Sequence, residues 1–157
     1  MASEAASAPR ALELGPARLS ECAELAALLA RVLPSDRWSA PQLSSEIALP
    51  EGRVWRARSG GELAGFLVAR RELDELHILL AGVAPGLRRA GVGKRLLGAL
   101  LAGEEGLASA YLEVREGNLG ARSFYGSLGF VEAGRRARHY ANGEAAILMT
   151  RDLRPRG

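Results

Sequence analysis

An apolar strand that leads straight into a glycine-containing loop and a helix is the feature that most constrains this fold. Residues 76–83, LHILLAGV, form a near-continuous apolar run, which is typical of a central strand covered on both faces. A Pro-Gly break, two arginines and a small-residue turn follow, and a second apolar pattern then predicts a helix over residues 91–103. A buried strand followed at once by a helix indicates an α/β fold.

The loop between this strand and this helix carries groups that bind phosphate. A helix N-terminus offers free backbone N–H groups and partial positive charge. Gly91 and Gly93 allow the backbone to come close to a ligand. Three cationic side chains add fixed charge: Arg88, Arg89 and Lys94. The loop therefore indicates a site for a diphosphate, and an ordinary strand–loop–helix turn is the alternative.

Two well-known phosphate-binding patterns do not match this loop. A Walker loop needs Ser or Thr where this chain has Arg95, a side chain that cannot bind magnesium. The dinucleotide pattern G-x-G-x-x-G fails because Leu96 takes the place of its third glycine. The pattern that remains is R-x-x-G-x-G, from Arg88 to Gly93.

The bulk composition is that of one ordinary globular domain. The chain has 157 residues, of which 48% are hydrophobic and 25% charged, which suffices for a core of its own. No apolar run approaches the roughly 20 residues that cross a bilayer, and the first ten residues lack the apolar segment of a signal peptide. Cys22 is the one cysteine, which favours a reducing compartment. We expect a cytoplasmic protein with one domain over residues 10–153, flexible ends at 1–9 and 154–157, and no membrane association.

The charge distribution argues against a primary role in nucleic-acid binding. The net charge of +3 is mild and comes almost wholly from arginine. No helix-turn-helix, zinc spacing or aromatic-studded basic strand is visible, so we expect no direct nucleic-acid binding. An RNA or ribosome docking factor is the alternative that Arg135, Arg136 and Arg138 leave open. Two histidines and one cysteine at unrelated spacings do not form a metal site.

Periodicity and turn residues predict six strands and four helices in the order α-α-β-β-β-α-β-α-β-β. Ser20 is predicted to cap the first helix, and Ser39 to Gln42 read as a capping box that starts the second. Gly60-Gly61 predicts a hairpin turn, and Gly129 a helix end. This order implies one mixed sheet flanked by helices.

The segment YLEVREGNLGARSFYGSLGF, residues 111–130, carries a second pattern. Through it the chain resembles the GNAT superfamily of N-acetyltransferases and, more narrowly, the RimI group of ribosomal-protein-alanine N-acetyltransferases. The family pattern is L-E-V-R, then an Asn, an aromatic-Tyr pair and a closing G-F. It is met by Leu112-Glu113-Val114-Arg115, Asn118, Phe124-Tyr125 and Gly129-Phe130.

This resemblance implies a GNAT acyl-CoA N-acyltransferase fold and acetyl-CoA as a substrate, with no metal. It implies that Glu113 is the general base, that Tyr125 is the general acid for the departing thiolate, and that Asn118 hydrogen-bonds the cofactor. The other cofactor-binding residues that it implies are Ala81, Gly82, Val83, Arg88, Arg89, Ala90, Gly91, Val92, Gly93 and Lys94.

The chemistry of acetyl transfer is compatible with these roles. Attack on a thioester needs a neutral amine, a donor for the oxyanion and a proton for the thiolate. An α-amine has a pKa of about 8 and a lysine one of about 10.4, so deprotonation at neutral pH is about 3 kcal/mol easier for a chain terminus. We expect an enzyme, in monomer or weak dimer form, that acetylates the N-terminal α-amine of a ribosomal protein starting with alanine.

Alternatives stay open at the level of both function and residues. The acceptor could instead be a protein lysine or a small-molecule amine, and a non-catalytic acyl-CoA-binding module is the alternative of another class. Each of the three residues also has a purely structural interpretation. Glu113 could be a solvent-facing strand residue, Tyr125 a core residue and Asn118 a helix N-cap. The chain departs from the RimI pattern at four places: His77, Leu80, Gly117 and His139-Tyr140.

Overall fold

The computed structural model describes residues 11–36 and 38–155. Over these residues it contains seven strands and four α-helices. The strands are β1 (Leu12–Pro16), β2 (Gly52–Ser59), β3 (Glu62–Glu72), β4 (Glu75–Val83), β5 (Ser109–Arg115), β6 (Val131–Arg136) and β7 (Ala146–Asp152). The helices are α1 (Cys22–Val32), α2 (Ala40–Ala48), α3 (Val92–Ala102) and α4 (Leu119–Ser127).

The strands form one mixed sheet in the order β1-β2-β3-β4-β5-β7-β6, which confirms the predicted α/β class. The chain divides into two compact units. Unit 1 is the described part of Met1–Val68 together with Leu80–Gly103, and unit 2 is the described part of Ala69–Leu79 and Glu104–Gly157. The predicted single domain over residues 10–153 stays a prediction. The predicted flexible N-terminus, 1–9, and the last two residues of the tail lie outside the described residues.

Unit 1 contains one strand that the sequence analysis missed. β1 pairs antiparallel with β2, from Leu12 opposite Ser59 to Pro16 opposite Trp55. The predicted element order, which began with a helix, is therefore wrong. A five-residue segment ending in Gly15-Pro16 has a weak strand signal, and proline is tolerated there because β1 lies at an edge of the sheet.

The start of α1 also differs from the prediction. The helix begins at Cys22, after a 3-10 turn over Leu19–Glu21, so Ser20 is not its cap. The Glu21 carboxylate accepts the Arg18 N–H at 2.8 Å and organises this turn instead. The capping box of α2 is confirmed: Ser39 Oγ accepts the Gln42 N–H at 3.2 Å, and Gln42 Oε1 accepts the Ser39 N–H at 2.7 Å.

Two glycine-dependent turns are also confirmed. Gly60 and Gly61 join β2 to β3 with φ values of 61° and 88°, as a tight hairpin turn requires. Gly129, with φ of 93°, follows the end of α4. At that position the left-handed conformation ends a helix at little steric cost for glycine.

In unit 2, strand pairing fixes the direction of the β5 side chains. β5 runs parallel to β4, with His77 opposite Tyr111, and antiparallel to β7, with Glu113 opposite Leu148. Ala110, Leu112 and Val114 are buried, and the residues between them are only half-buried. Because side chains alternate along a strand, Tyr111, Glu113 and Arg115 share the opposite face.

The described part of the chain carries neither a helix that could span a membrane nor a cluster of metal-ligating side chains. None of its helices has the length and apolar character that crossing a bilayer requires. No group of three or more His, Cys, Asp or Glu side chains there is arranged to hold a metal ion.

Candidate active site

The start of α3, in unit 1, exposes backbone donors. Gly91 occupies the N-cap position in the left-handed region, with φ of 78° and ψ of 15°, and it has no side chain that could cap the helix. The helix N–H of Arg95 reaches the Gly91 carbonyl at 3.0 Å. The N–H groups of the residues before Arg95 in this turn have no acceptor within the helix, as at every helix start.

Positively charged residues flank these donors in the sequence. The first turn of α3 contains no acidic residue, and Lys94 and Arg95 are exposed there. Cations at a helix N-terminus are unfavourable because they face the positive end of the helix dipole. Arg88 and Arg89 precede the helix and are exposed as well. An anion bound at this turn would relieve the repulsion, so the charges favour a phosphate group as ligand.

Backbone conformation in this loop is also unusual. Arg89 has φ of 68°, a left-handed conformation that non-glycine residues rarely adopt and that Leu73 and Arg138 also show in this chain. At Gly91 an added Cβ would meet open space, so the positive φ alone requires glycine there. At Gly91 it is therefore the backbone conformation, and not contact with neighbouring side chains, that requires glycine.

The strand residues predicted to contact the cofactor are packed differently. Ala81, Gly82 and Val83 are all buried at the end of β4. A Cβ at Gly82 would lie 2.8 Å from side-chain atoms of both Phe66 and Val32, so only glycine fits. The structure therefore places the loop and the strand end, both predicted to bind the cofactor, in unit 1.

Glu113, the predicted base, lies on the half-buried face of β5 in unit 2. Its side chain is 26% exposed. Its Oε2 atom is 3.6 Å from Arg136 Nη2, and its Oε1 atom is 3.9 Å from His139 Nε2. Arg136 ends β6, and His139 follows in the β6–β7 connection. No sequence pattern pairs these two residues with Glu113.

The β6–β7 connection is anchored to the end of β5. The Arg115 guanidinium lies 4.0 Å above the centre of the Tyr140 ring, a cation–π contact. Glu144 lies 3.5 Å from Arg115 and accepts the Gly117 N–H at 2.9 Å. The His139 ring also packs edge-on against Tyr140, with ring centres 4.8 Å apart. These contacts hold His139 on the face that carries Glu113.

A second group on the same face is built around Tyr111. The His77 ring stacks on Tyr111 with centres 4.4 Å apart and planes 10° apart. The Tyr111 hydroxyl donates to Glu72 at 2.7 Å. Burial and this hydrogen bond raise the pKa of Tyr111 to about 12. Burial lowers the pKa of His77, and Arg70 adds to the effect while Glu72 and Glu113 oppose it. Only His77 of this group was singled out from the sequence; the β4–β5 register is what brings it to Tyr111.

The other two residues predicted in unit 2 have clear structural contacts. Asn118 caps α4, with its Oδ1 atom accepting the Ala121 N–H at 3.0 Å. Tyr125 is half-buried and makes edge contacts with Phe124 and Phe130, at ring distances of 5.3 Å and 6.1 Å. The capping and packing roles are therefore present at both positions. Catalytic or cofactor roles for Tyr125 and Asn118 stay predictions.

Comparisons with known proteins agree with the resemblance seen in the sequence. The family model described as Acetyltransferase (GNAT) family matches residues 22–130. The chain is 38% identical over 136 residues to N-alpha-acetyltransferase RimI of Mycobacterium tuberculosis, which covers 83% of this chain and 84% of that protein. The crystal structure of the ribosomal-protein-S18-alanine N-acetyltransferase from Escherichia coli superposes with a TM-score of 0.79 at 27% identity, over 94% of this chain and 97% of that one. Arabidopsis thaliana NAA60 in complex with acetyl-CoA shares the fold, with a TM-score of 0.75 at 20% identity over 91% of this chain and 100% of that one.

Proposed function

Since the chain belongs to the GNAT family of acetyltransferases, we propose that it acetylates the N-terminal α-amine of a ribosomal protein that begins with alanine. Enzymes of this family use acetyl-CoA as the acyl donor. The observation that carries α-amine acetylation is the 38% identity, over 83% of the chain, to a protein named for acetylation of α-amines. The ribosomal protein and its alanine rest on the likeness to the ribosomal-protein-S18-alanine N-acetyltransferase, with a TM-score of 0.79 at 27% identity.

The loop before α3 would bind the diphosphate of acetyl-CoA. Its support is the set of helix N–H groups, the left-handed Arg89 and Gly91, and the exposed cations without an acidic neighbour in the first turn. In this proposal the pantetheine arm lies along residues 81–83. Asn118 uses its carbonyl oxygen to cap α4, so its amide N–H group is the part that would donate to the cofactor.

Two side chains of unit 2 would move the protons. Glu113 accepts a proton from the amine as the amine nitrogen attacks the thioester carbonyl. The carbon–sulfur bond then breaks, and Tyr125 donates its proton to the departing thiolate. The partial exposure of Glu113 supports a base role because a proton acceptor must be reachable by its substrate.

A matched pair of peptides tests the acceptor. The first carries the N-terminus of ribosomal protein S18 from the same genome with a free α-amine and no lysine. The second has the same sequence with a blocked α-amine and one added lysine. We expect CoA release with the first peptide only, because its amine is deprotonated far more often at neutral pH. Preference for the second would assign the enzyme to lysines.

Turnover of small amines such as aminoglycosides, with neither peptide accepted, would assign the enzyme to that substrate class. A non-catalytic module is tested with the same assay. It predicts acetyl-CoA binding without turnover of any acceptor by the parent protein. Mass spectrometry of protein N-termini from cells with and without the gene then identifies the natural acceptor.

A further inference from the structure

The two oxygens of the Glu113 carboxylate each face a different nitrogen donor. Oε2 faces Arg136 Nη2 at 3.6 Å, and Oε1 faces His139 Nε2 at 3.9 Å. Both distances exceed that of a formed hydrogen bond. The carboxylate is therefore oriented from two sides while its lone pairs remain available to an incoming proton.

Arg136 also determines which nitrogen of His139 carries the proton. Arg136 Nη1 lies 3.4 Å from His139 Nδ1. A guanidinium has donors and no acceptor, so the nitrogen that faces it must be the unprotonated one. The neutral ring then carries its hydrogen on Nε2, the atom that faces Glu113.

We infer that His139 and Arg136 are positioning residues for Glu113, with Arg136 selecting the His139 tautomer that carries its hydrogen on Nε2. This inference rests on the proposed role of Glu113 as general base. His139 is not a proton relay in this arrangement, because its Nε2 already carries a hydrogen and its Nδ1 faces a permanent cation. Its N–H instead orients the carboxylate toward the amine, and the contact shortens when substrate binds.

Paired substitutions test the positioning role. His139→Gln keeps an N–H group near the position of Nε2, and His139→Leu removes it. We expect His139→Leu to lower kcat about tenfold because the base is misplaced, with KM for the acceptor changed by less than about twofold, and His139→Gln to stay within about threefold of the parent. Arg138→Gln, an exposed residue in the same connection, is the control and should match the parent.

A spectroscopic measurement tests the tautomer without relying on activity. The chain has only two histidines, so nitrogen-15 NMR resolves both rings, and His139→Gln assigns them. We expect the His139 signals of an Nε2–H ring in the parent. In Arg136→Leu we expect a mixture of both tautomers. An Nδ1–H ring in the parent would overturn the inference, whether or not His139→Leu folds.

The outcomes separate this inference from the proposed function. If Glu113→Gln is inactive while His139→Leu keeps the parental kcat, Glu113 remains the base and the positioning role is wrong. If His139→Gln loses as much activity as His139→Leu, the N–H group is not what matters and the inference is again wrong. If Glu113→Gln is fully active, the base role itself is wrong, and the inference ends with it.

Discussion

Glu21 and Glu113 each face nitrogen donors from two other side chains, but they do so at different distances and exposures. The Glu21 side chain, in unit 1, is 9% exposed and accepts hydrogen bonds from Arg56 and Arg58 at 3.0–3.2 Å and from the Arg18 N–H at 2.8 Å. The Glu113 side chain, in unit 2, is 26% exposed, and the nitrogen donors of Arg136 and His139 stand 3.6 Å and 3.9 Å from it. A carboxylate whose lone pairs are all used holds a fold together, and one that keeps some of them can take a proton.

The Glu21 network is extended by further acidic residues. Arg56 also pairs with Glu13 at 3.1 Å, and Arg58 pairs with Glu24 at 2.7 Å. Burial by itself raises the pKa of Glu21, but the hydrogen bonds from Arg18, Arg58 and Arg56 outweigh it and the pKa lies below its ordinary range. These bonds compensate for the desolvation of charges, and the loss of one partner would leave another uncompensated.

The largest expected effect is on activity. Glu113→Gln keeps the shape of the side chain but cannot accept the amine proton, so we expect kcat to fall about a thousandfold, or about 4 kcal/mol in the activation barrier. The urea midpoint of unfolding should stay close to the parent value, because no short hydrogen bond to Glu113 is lost. Acetyl-CoA binding measured by calorimetry is the control. A large fall in stability would show that Glu113 is structural like Glu21.

Glu21→Gln complements Glu113→Gln, because we expect it to change stability instead of activity. It leaves Arg56, whose side chain is 5% exposed, without its nearest buried counter-charge. We expect the free energy of unfolding to fall by about 3 kcal/mol, the usual cost of breaking a buried ion pair from one side. Urea unfolding followed by circular dichroism measures it. An unchanged midpoint would mean that Glu13 alone compensates Arg56.

The different surroundings of Glu21 and Glu113 could not be predicted from the sequence, although much of the local structure could. Strand alternation correctly placed the Glu113 side chain on the face of β5 that Leu112 and Val114 do not share. The glycine patterns and the Ser39–Gln42 capping box correctly located turns and helix ends. Such signals are local, because each depends on the conformation of a few adjacent residues. Strand β1 was not predicted because a short segment ending in Gly15-Pro16 lacks a local strand signal.

The partners of each carboxylate come from distant segments. The sequence grouped Arg135, Arg136 and Arg138 as one basic surface. The structure instead pairs Arg135 with Glu116 and Arg136 with Glu113. These pairs follow from the β5–β7–β6 strand order, which no local pattern encodes. Candidate site residues were therefore predictable from family motifs, whereas the groups that orient them needed the fold.

The free energy of unfolding at acid pH tests whether the negative charge of Glu21 is what stabilises the fold. Its pKa in the folded protein lies below the ordinary value of 4.5, so the unfolded chain binds more protons and the charged form stabilises the fold. The stability difference between parent and Glu21→Gln should be constant between about pH 5 and 8. It should shrink as the pH falls through the folded pKa of Glu21. A difference that persists in acid would mean that shape, not charge, is what the substitution removes.

Glu24 separates the two properties that differ between Glu21 and Glu113, namely hydrogen-bond length and burial of the side chain. Its bonds to Arg58, 2.7 Å and 3.1 Å, are as short as those of Glu21, but its side chain is 50% exposed. The side-chain hydrogen bond from Arg58 lowers the pKa of Glu24 against the opposing effect of burial. Glu24→Gln leaves Arg58 bonded to Glu21 and to the Gly61 carbonyl, so we expect a loss of only about 0.5 kcal/mol in the same urea experiment. A loss as large as that of Glu21→Gln would show that bond length, rather than burial, decides which carboxylates hold this fold together.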